Sequence, residues 1–243
     1  MAINYPQYRK QIADDLAARV ANYQSTITAA TTSGLLAKAN PPLNLLADGD
    51  SWFDYPLPVF APSDIIAQLP GLCSQPPNIL NLAEHGDTST IEVGLARTQK
   101  IINAIKSAPP GGKFDAILFS GGGNDIAGDP FCIWLNDAGS VSCSPAFGLN
   151  TARFNAILGV IQSSYEDLIQ LRNDNLPSAP IFVHGYDFAI PSGVGVCGEG
   201  PWLQPSLNFC GWTVSADGIQ IVRNALTQLG NMLAKLAANP KTT

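Results

Sequence analysis

Three short stretches carry the residue types that could do chemistry. In "LNLLADGDSWFDYP" an apolar run ends in Asp48-Gly49-Asp50-Ser51; "NLAEHGDTS" sets Gly86 and Asp87 ahead of a helical pattern; "SGGGNDIAGD" sets Asn124 and Asp125 behind three glycines. A serine on a sharp turn after a strand exposes its hydroxyl to a substrate carbonyl, which is what acyl transfer requires of a nucleophile. The same reaction needs donors aimed at the oxygen that becomes negative, and backbone N–H groups or a side-chain amide at such turns are donors of that kind. Each residue also has a plainer role. Ser51 could cap a turn, Gly86 could ease a helix entry, and Asn124 could hold its own turn through its side chain.

The elements that must position these groups are legible as an alternation. Helical periodicity runs from Tyr5 to about Ala30, with Ile12, Leu16, Val20 and Tyr23 on one face, and Pro41-Pro42 ends it. Strands are expected at Leu43–Ala47, Ile79–Ala83, Ala116–Ser120 and Pro180–His184. Helices are expected at Thr88–Ser107, with Ile91, Leu95, Ile102 and Ile105 inward, at Asn150–Arg172, and at Ser215 to about Ala238 with Ser215 as N-cap. Wholly apolar strands between long helices indicate a parallel sheet covered on both faces. The expectation is one α/β domain over residues 1–243, a three-layer α/β/α sandwich with a parallel, flavodoxin-like sheet. Four of its strands are readable and a fifth is missing. In such a sheet the three polar turns lie along one edge and can converge. Two irregular excursions, about 129–148 and 185–213, leave from the same edge and read as lids.

Composition narrows the partners. The chain has 243 residues, 46% hydrophobic and 13% charged, with net charge −6 and no basic block, which argues against nucleic acid. No apolar run reaches 18 residues, so no membrane span is expected. Cys132 and Cys143 bracket one irregular segment and Cys197 and Cys210 another, with Cys73 left over. Two local disulfides are expected, placing the protein outside the cell or in a periplasm; five reduced thiols in a cytoplasmic protein are the alternative. No cysteine pair has zinc spacing, and neither metal nor cofactor is expected.

Together, Gly49-Asp50-Ser51, Gly86 within "NLAEHGDTS", and Gly122-Gly123-Asn124-Asp125 resemble the GDSL, or SGNH, serine hydrolases. The resemblance implies an esterase or lipase in which Ser51 is the nucleophile and Gly86 and Asn124 complete an oxyanion hole. Asp50 and His184 would then line the site, and a small ester or acylated molecule would be the substrate. The family's base is a histidine in a D-x-x-H block near the C-terminus. This chain has only His85 and His184, and Asp217-Gly218-Ile219-Gln220 carries glutamine where that block has histidine. The final helix runs into "AANPKTT", where the family's fifth strand would begin. The expectation is a fragment without its base, self-associating or completed by another segment. Two other readings stand beside this one. Asp48 and Asp50 could begin a magnesium-dependent phosphatase of the haloacid-dehalogenase type, or the fold could bind acyl ligands without turnover. Trp52 and Tyr55 are expected to pack beneath the loop.

Overall fold

The computed structural model describes residues 5–35, 40–55, 64–106, 108, 113–195 and 200–239. In chain order the elements are α1 (Tyr5–Thr32), β1 (Asn44–Gly49), α2 (Ile65–Leu72), β2 (Asn78–Asn81), α3 (Ser89–Glu92), α4 (Leu95–Lys106) and β3 (Ala116–Ser120). They continue with α5 (Gly123–Ile126), α6 (Thr151–Asn175), β4 (Ile181–Val183), α7 (Gln204–Phe209) and α8 (Ser215–Ala237). The chain divides into two compact units. One comprises Met1–Asp87, Ile91–Ser120 and Leu168–Val183; the other comprises Thr88–Thr90, Gly121–Asp167 and His184–Thr243.

The first unit holds the sheet, four parallel strands in the order β2-β1-β3-β4. β1 lies inside it and is buried at all six positions, which is why Leu45, Leu46 and Ala47 follow one another without polar alternation. Leu46, Leu80, Ile101 and Ile117 form a core with Leu16, Tyr23 and Ile27 of α1, the face that the helical period selects. β4 is the end strand, and its Phe182 and Val183 are exposed. The strands therefore run close to their expected bounds, and the α/β class with a parallel sheet flanked by helices stands.

The helix expected over Thr88–Ser107 is two helices, α3 and α4, separated at Val93-Gly94. The break resets the helical phase, so Ile91 and Leu95 face solvent while Arg97 and Ile101 are buried. α2 carries Pro70 and was not anticipated; Asp64 caps it, its carboxylate accepting from the Ala67 N–H at 2.8 Å. Val214, not Ser215, occupies the N-cap of α8.

In the second unit, the segment expected to be a lid at 129–148 is packed rather than open. It forms three 3-10 turns, Asp129–Trp134, Gly139–Val141 and Pro145–Phe147, with Phe131, Leu135 and Ala138 buried. Buried Trp212 donates from Nε1 to the Asn136 carbonyl at 2.8 Å, and Leu135 bridges to Leu149. The disulfide expectation is corrected here. Cys132, Cys143 and Cys210 all carry free thiols, as does Cys73 in the first unit; Cys197 lies outside the described residues. The Cys132 thiol donates to the Asp129 carbonyl at 3.4 Å, and the Cys210 sulfur lies 3.6 Å from the Cys132 carbonyl oxygen. Backbone hydrogen bonds and buried aromatics hold this loop without a covalent tie. The argument from disulfides to an oxidising compartment goes with them. Among the described residues no helix is long and apolar enough to cross a membrane.

Candidate active site

β1 delivers Ser51 two residues beyond a strand that can end only as it does. A Cβ at Gly49 would lie 2.3 Å from the Ser120 carbonyl oxygen of β3, so the neighbouring strand comes too close for any side chain. Asp50 then turns inward. Its Oδ1 accepts from the Ser120 hydroxyl at 2.6 Å and from the Trp52 N–H at 3.0 Å, while its carbonyl receives the N–H groups of Phe53 and Asp54. Asp50, expected to line the substrate site, is 1% exposed and instead fixes the turn that presents Ser51. Phe53 packs beneath it against Ala47 and Ala83, whereas Trp52, expected to pack there, is 47% exposed.

The second strand delivers Gly86. Past β2 the ladder with β1 continues, the Leu82 N–H donating to the Ala47 carbonyl at 2.8 Å and the Glu84 N–H to the Gly49 carbonyl at 3.0 Å. Gly86 sits two residues further on with φ +84, a left-handed conformation that glycine adopts without strain. It is exposed, and no atom lies within 4 Å of where its Cβ would be, so its backbone is open to an incoming group. The structure thus places Ser51 and Gly86 in one unit, on turns from adjacent parallel strands that are hydrogen-bonded to one another.

An ionic cluster that the sequence reading missed lies under these turns. Arg97 of α4 is buried; its Nη1 donates to the Leu82 carbonyl at 2.6 Å and to Glu84 at 2.8 Å, its Nη2 bonds Asp87, and its Nε lies 3.6 Å from Asp48. Burial alone would weaken its hold on its proton, but the three carboxylates outweigh burial and raise its pKa above the ordinary value. Burial pushes the Asp48 carboxyl from 3.8 up to about 7, with Arg97 and the nearby Gly49 N–H opposing the rise. Neither Asp48 oxygen completes a hydrogen bond. Burial also raises Asp87, against the pull of Arg97. The signal available in the sequence was the phase of Arg97, which shares a helix face with Ile101 and Ile105. With Asp48 and Asp50 each 1% exposed, neither carboxylate is open to an incoming phosphorus, which removes the nucleophile from the phosphatase reading.

His85 belongs to a separate pairing. Its Nδ1 lies 3.4 Å from Asp54, which Arg19 of α1 approaches at 3.7 Å. Burial would raise Asp54, but the His85 hydrogen bond and the Arg19 charge together hold its carboxyl below the usual range.

Asn124 and His184 belong to the second unit. Asn124 lies in α5, half-buried, and its neighbour Asp125 is buried, accepting from the Ser89 N–H at 2.8 Å and the Ser89 hydroxyl at 2.9 Å. The Tyr165 hydroxyl donates to the Gly121 carbonyl at 2.9 Å, and the Gly123 N–H donates to the Tyr186 hydroxyl at 3.1 Å. His184 stands edge-on to Tyr186 with centroids 5.4 Å apart, and its Nδ1 is 2.9 Å from the Gly185 carbonyl oxygen. Tyr186 thus meets both the Gly123 N–H, one residue before Asn124, and the His184 ring.

No family model and no curated protein matches the sequence. Among solved structures, the chain is similar to phospholipase A1 from Streptomyces albidoflavus NA297, with 17% identity over 79% of this chain and 73% of that one and a TM-score of 0.45. An extracellular lipase from Streptomyces rimosus gives 15% identity over 79% and 75%, also with a TM-score of 0.45. AlinE4, an SGNH-hydrolase family esterase, gives 16% identity over 85% of each chain, with a TM-score of 0.39. These superpositions are partial, and none assigns a role to a residue of this chain.

Proposed function

We propose that the chain is a serine hydrolase of the GDSL, or SGNH, type, cleaving a carboxylic ester through Ser51. The observation that carries this reading is the pairing of the Ser51 and Gly86 turns. Parallel strands release both at the same sheet edge, and the Glu84 N–H donating to the Gly49 carbonyl ties one to the other. In the reaction, the Ser51 oxygen attacks the ester carbonyl carbon and gives up its proton. The N–H groups of Ser51 and Gly86 stabilise the negative carbonyl oxygen, and the resemblance to the family gives the Asn124 amide the same task. Collapse of the tetrahedral adduct breaks the bond to the alcohol, which leaves with a proton, and water then cleaves the acyl-serine.

The proton acceptor is the remaining role. No hydrogen bond reaches the Ser51 hydroxyl among the described residues, and both histidine rings have other contacts, His85 with Asp54 and His184 with Gly185 and Tyr186. The reading assigns the proton to no named side chain, since the D-x-x-H block that carries the base in the family has no counterpart in this sequence. Turnover by the chain alone is then expected below about 1 s⁻¹, under the ordinary enzyme range. The substrate is a small ester or acylated molecule. A fluorophosphonate should attach to Ser51, and Ser51→Ala should abolish both the labelling and hydrolysis of a chromogenic ester. Hydrolysis persisting in the alanine variant removes the nucleophile from this reading.

A further inference from the structure

Arg97 takes no part in the reaction above, yet it is among the most constrained side chains of the first unit. Its guanidinium meets both feet of the Gly86 turn, the Leu82 carbonyl and Glu84 before the glycine and Asp87 after it. Its third nitrogen faces Asp48, which directly precedes Gly49-Asp50-Ser51. One planar fork from α4 thus spans the end of β1 and the turn after β2, while Lys100 adds a second cation at Glu84 at 3.1 Å.

The cost of this arrangement argues that it does more than pack. A buried guanidinium loses its hydration, and so do the carboxylates around it, so a buried ionic cluster is weak evidence for stability. What it can supply is geometry. Arg97 presents its donors in a fixed plane, and each bond it makes here restrains a different part of the two turns. Gly86 needs such restraint: its φ is positive, it is exposed, and no side chain lies over it. An N–H on an unbraced glycine turn would sample many directions, whereas oxyanion stabilisation requires a donor already aimed at the oxygen.

We propose that Arg97 is a positioning residue of this site, bracing the Gly86 turn against the end of β1 so that the Gly86 N–H and Ser51 address the same carbonyl. The proposal rests on the assignment of Ser51 as nucleophile. Arg97 touches no substrate; it acts through the turn.

The test compares Arg97→Lys, which keeps the charge and loses the fork, with Asp87→Asn, which releases one foot of the turn and leaves the guanidinium in place. Each is assayed with a chromogenic ester and by the rate of Ser51 labelling with a fluorophosphonate, after far- and near-ultraviolet circular dichroism establishes a native fold. A displaced oxyanion donor costs on the order of 10- to 100-fold. Arg97→Lys is expected to lower kcat by that amount with KM within about twofold, and to slow labelling in parallel. Asp87→Asn is expected to show the same split with a smaller loss, and serves alone should Arg97→Lys fail to fold. Arg97→Ala assayed with added methylguanidinium should regain part of the lost kcat, which a purely structural role would not give. Wild-type kcat in folded Asp87→Asn, with no regain in Arg97→Ala, overturns the brace. If Ser51→Ala remains active, the nucleophile assignment has failed instead, and the two failures are distinguishable.

Discussion

Replacing Asp48 with asparagine should make the protein more stable at alkaline pH, although it removes one of the charges around a buried arginine. The carboxyl is 1% exposed and has its pKa raised from 3.8 to about 7, chiefly by burial. The folded protein therefore holds this proton more tightly than the unfolded chain does. The resulting stabilisation is fully present below 3.8 and is lost as pH rises to about 7. Each pH unit inside that window is worth about 1.4 kcal/mol, so from about pH 5 to about pH 8 Asp48 alone removes on the order of 3 kcal/mol. Asparagine has the same shape and no charge to desolvate. The groups facing Asp48 are Arg97, the Gly49 N–H, Asp87 and Glu84, and all of them remain in the variant. The difference between the two unfolding curves consequently isolates the one carboxyl. Urea unfolding at intervals across this range should show Asp48→Asn gaining about 3 kcal/mol on wild type between the acid and alkaline ends, or roughly 6–12 °C in thermal midpoint for a chain of this size. Parallel pH profiles would mean that Asp48 does not titrate there and that the burial argument is wrong.

Two further expectations concern Asn124 and the cysteines. Asn124→Ala should fold normally and lower kcat by about 10²- to 10³-fold if its amide serves the oxyanion; lost stability with unchanged kcat would make it a turn residue. Protein purified without reductant should yield alkylated Cys73, Cys132, Cys143 and Cys210 on peptide mapping, and a disulfide-linked peptide containing any of them would contradict the free thiols of the structure.

The sequence by itself determined the strand ladder. The centres of β1 and β3, Leu45–Ala47 and Ala116–Phe119, read as apolar runs because a strand inside a parallel sheet is covered on both faces, and the polar turns stood out because such runs stop abruptly at a sheet edge. It also marked Gly49 and Gly86, where a close approach and a positive φ admit no other residue comfortably. Helix phase was legible only while a helix stayed continuous. The break at Val93-Gly94 rotated α4 and exchanged buried Leu95 for buried Arg97. The two roles the structure reassigned depended on contacts between distant segments. Asp50 became a clamp because Ser120 lies 70 residues away in sequence and 2.6 Å away in space. The cysteines stayed apart because spacing along a chain says nothing about where two sulfur atoms point. The Arg97 cluster draws on residues 48, 84, 87 and 97, four positions with no shared period. Only the pairing of β1 with β2, and the packing of α4 that buries Arg97 beside them, brings those charges within reach of one another.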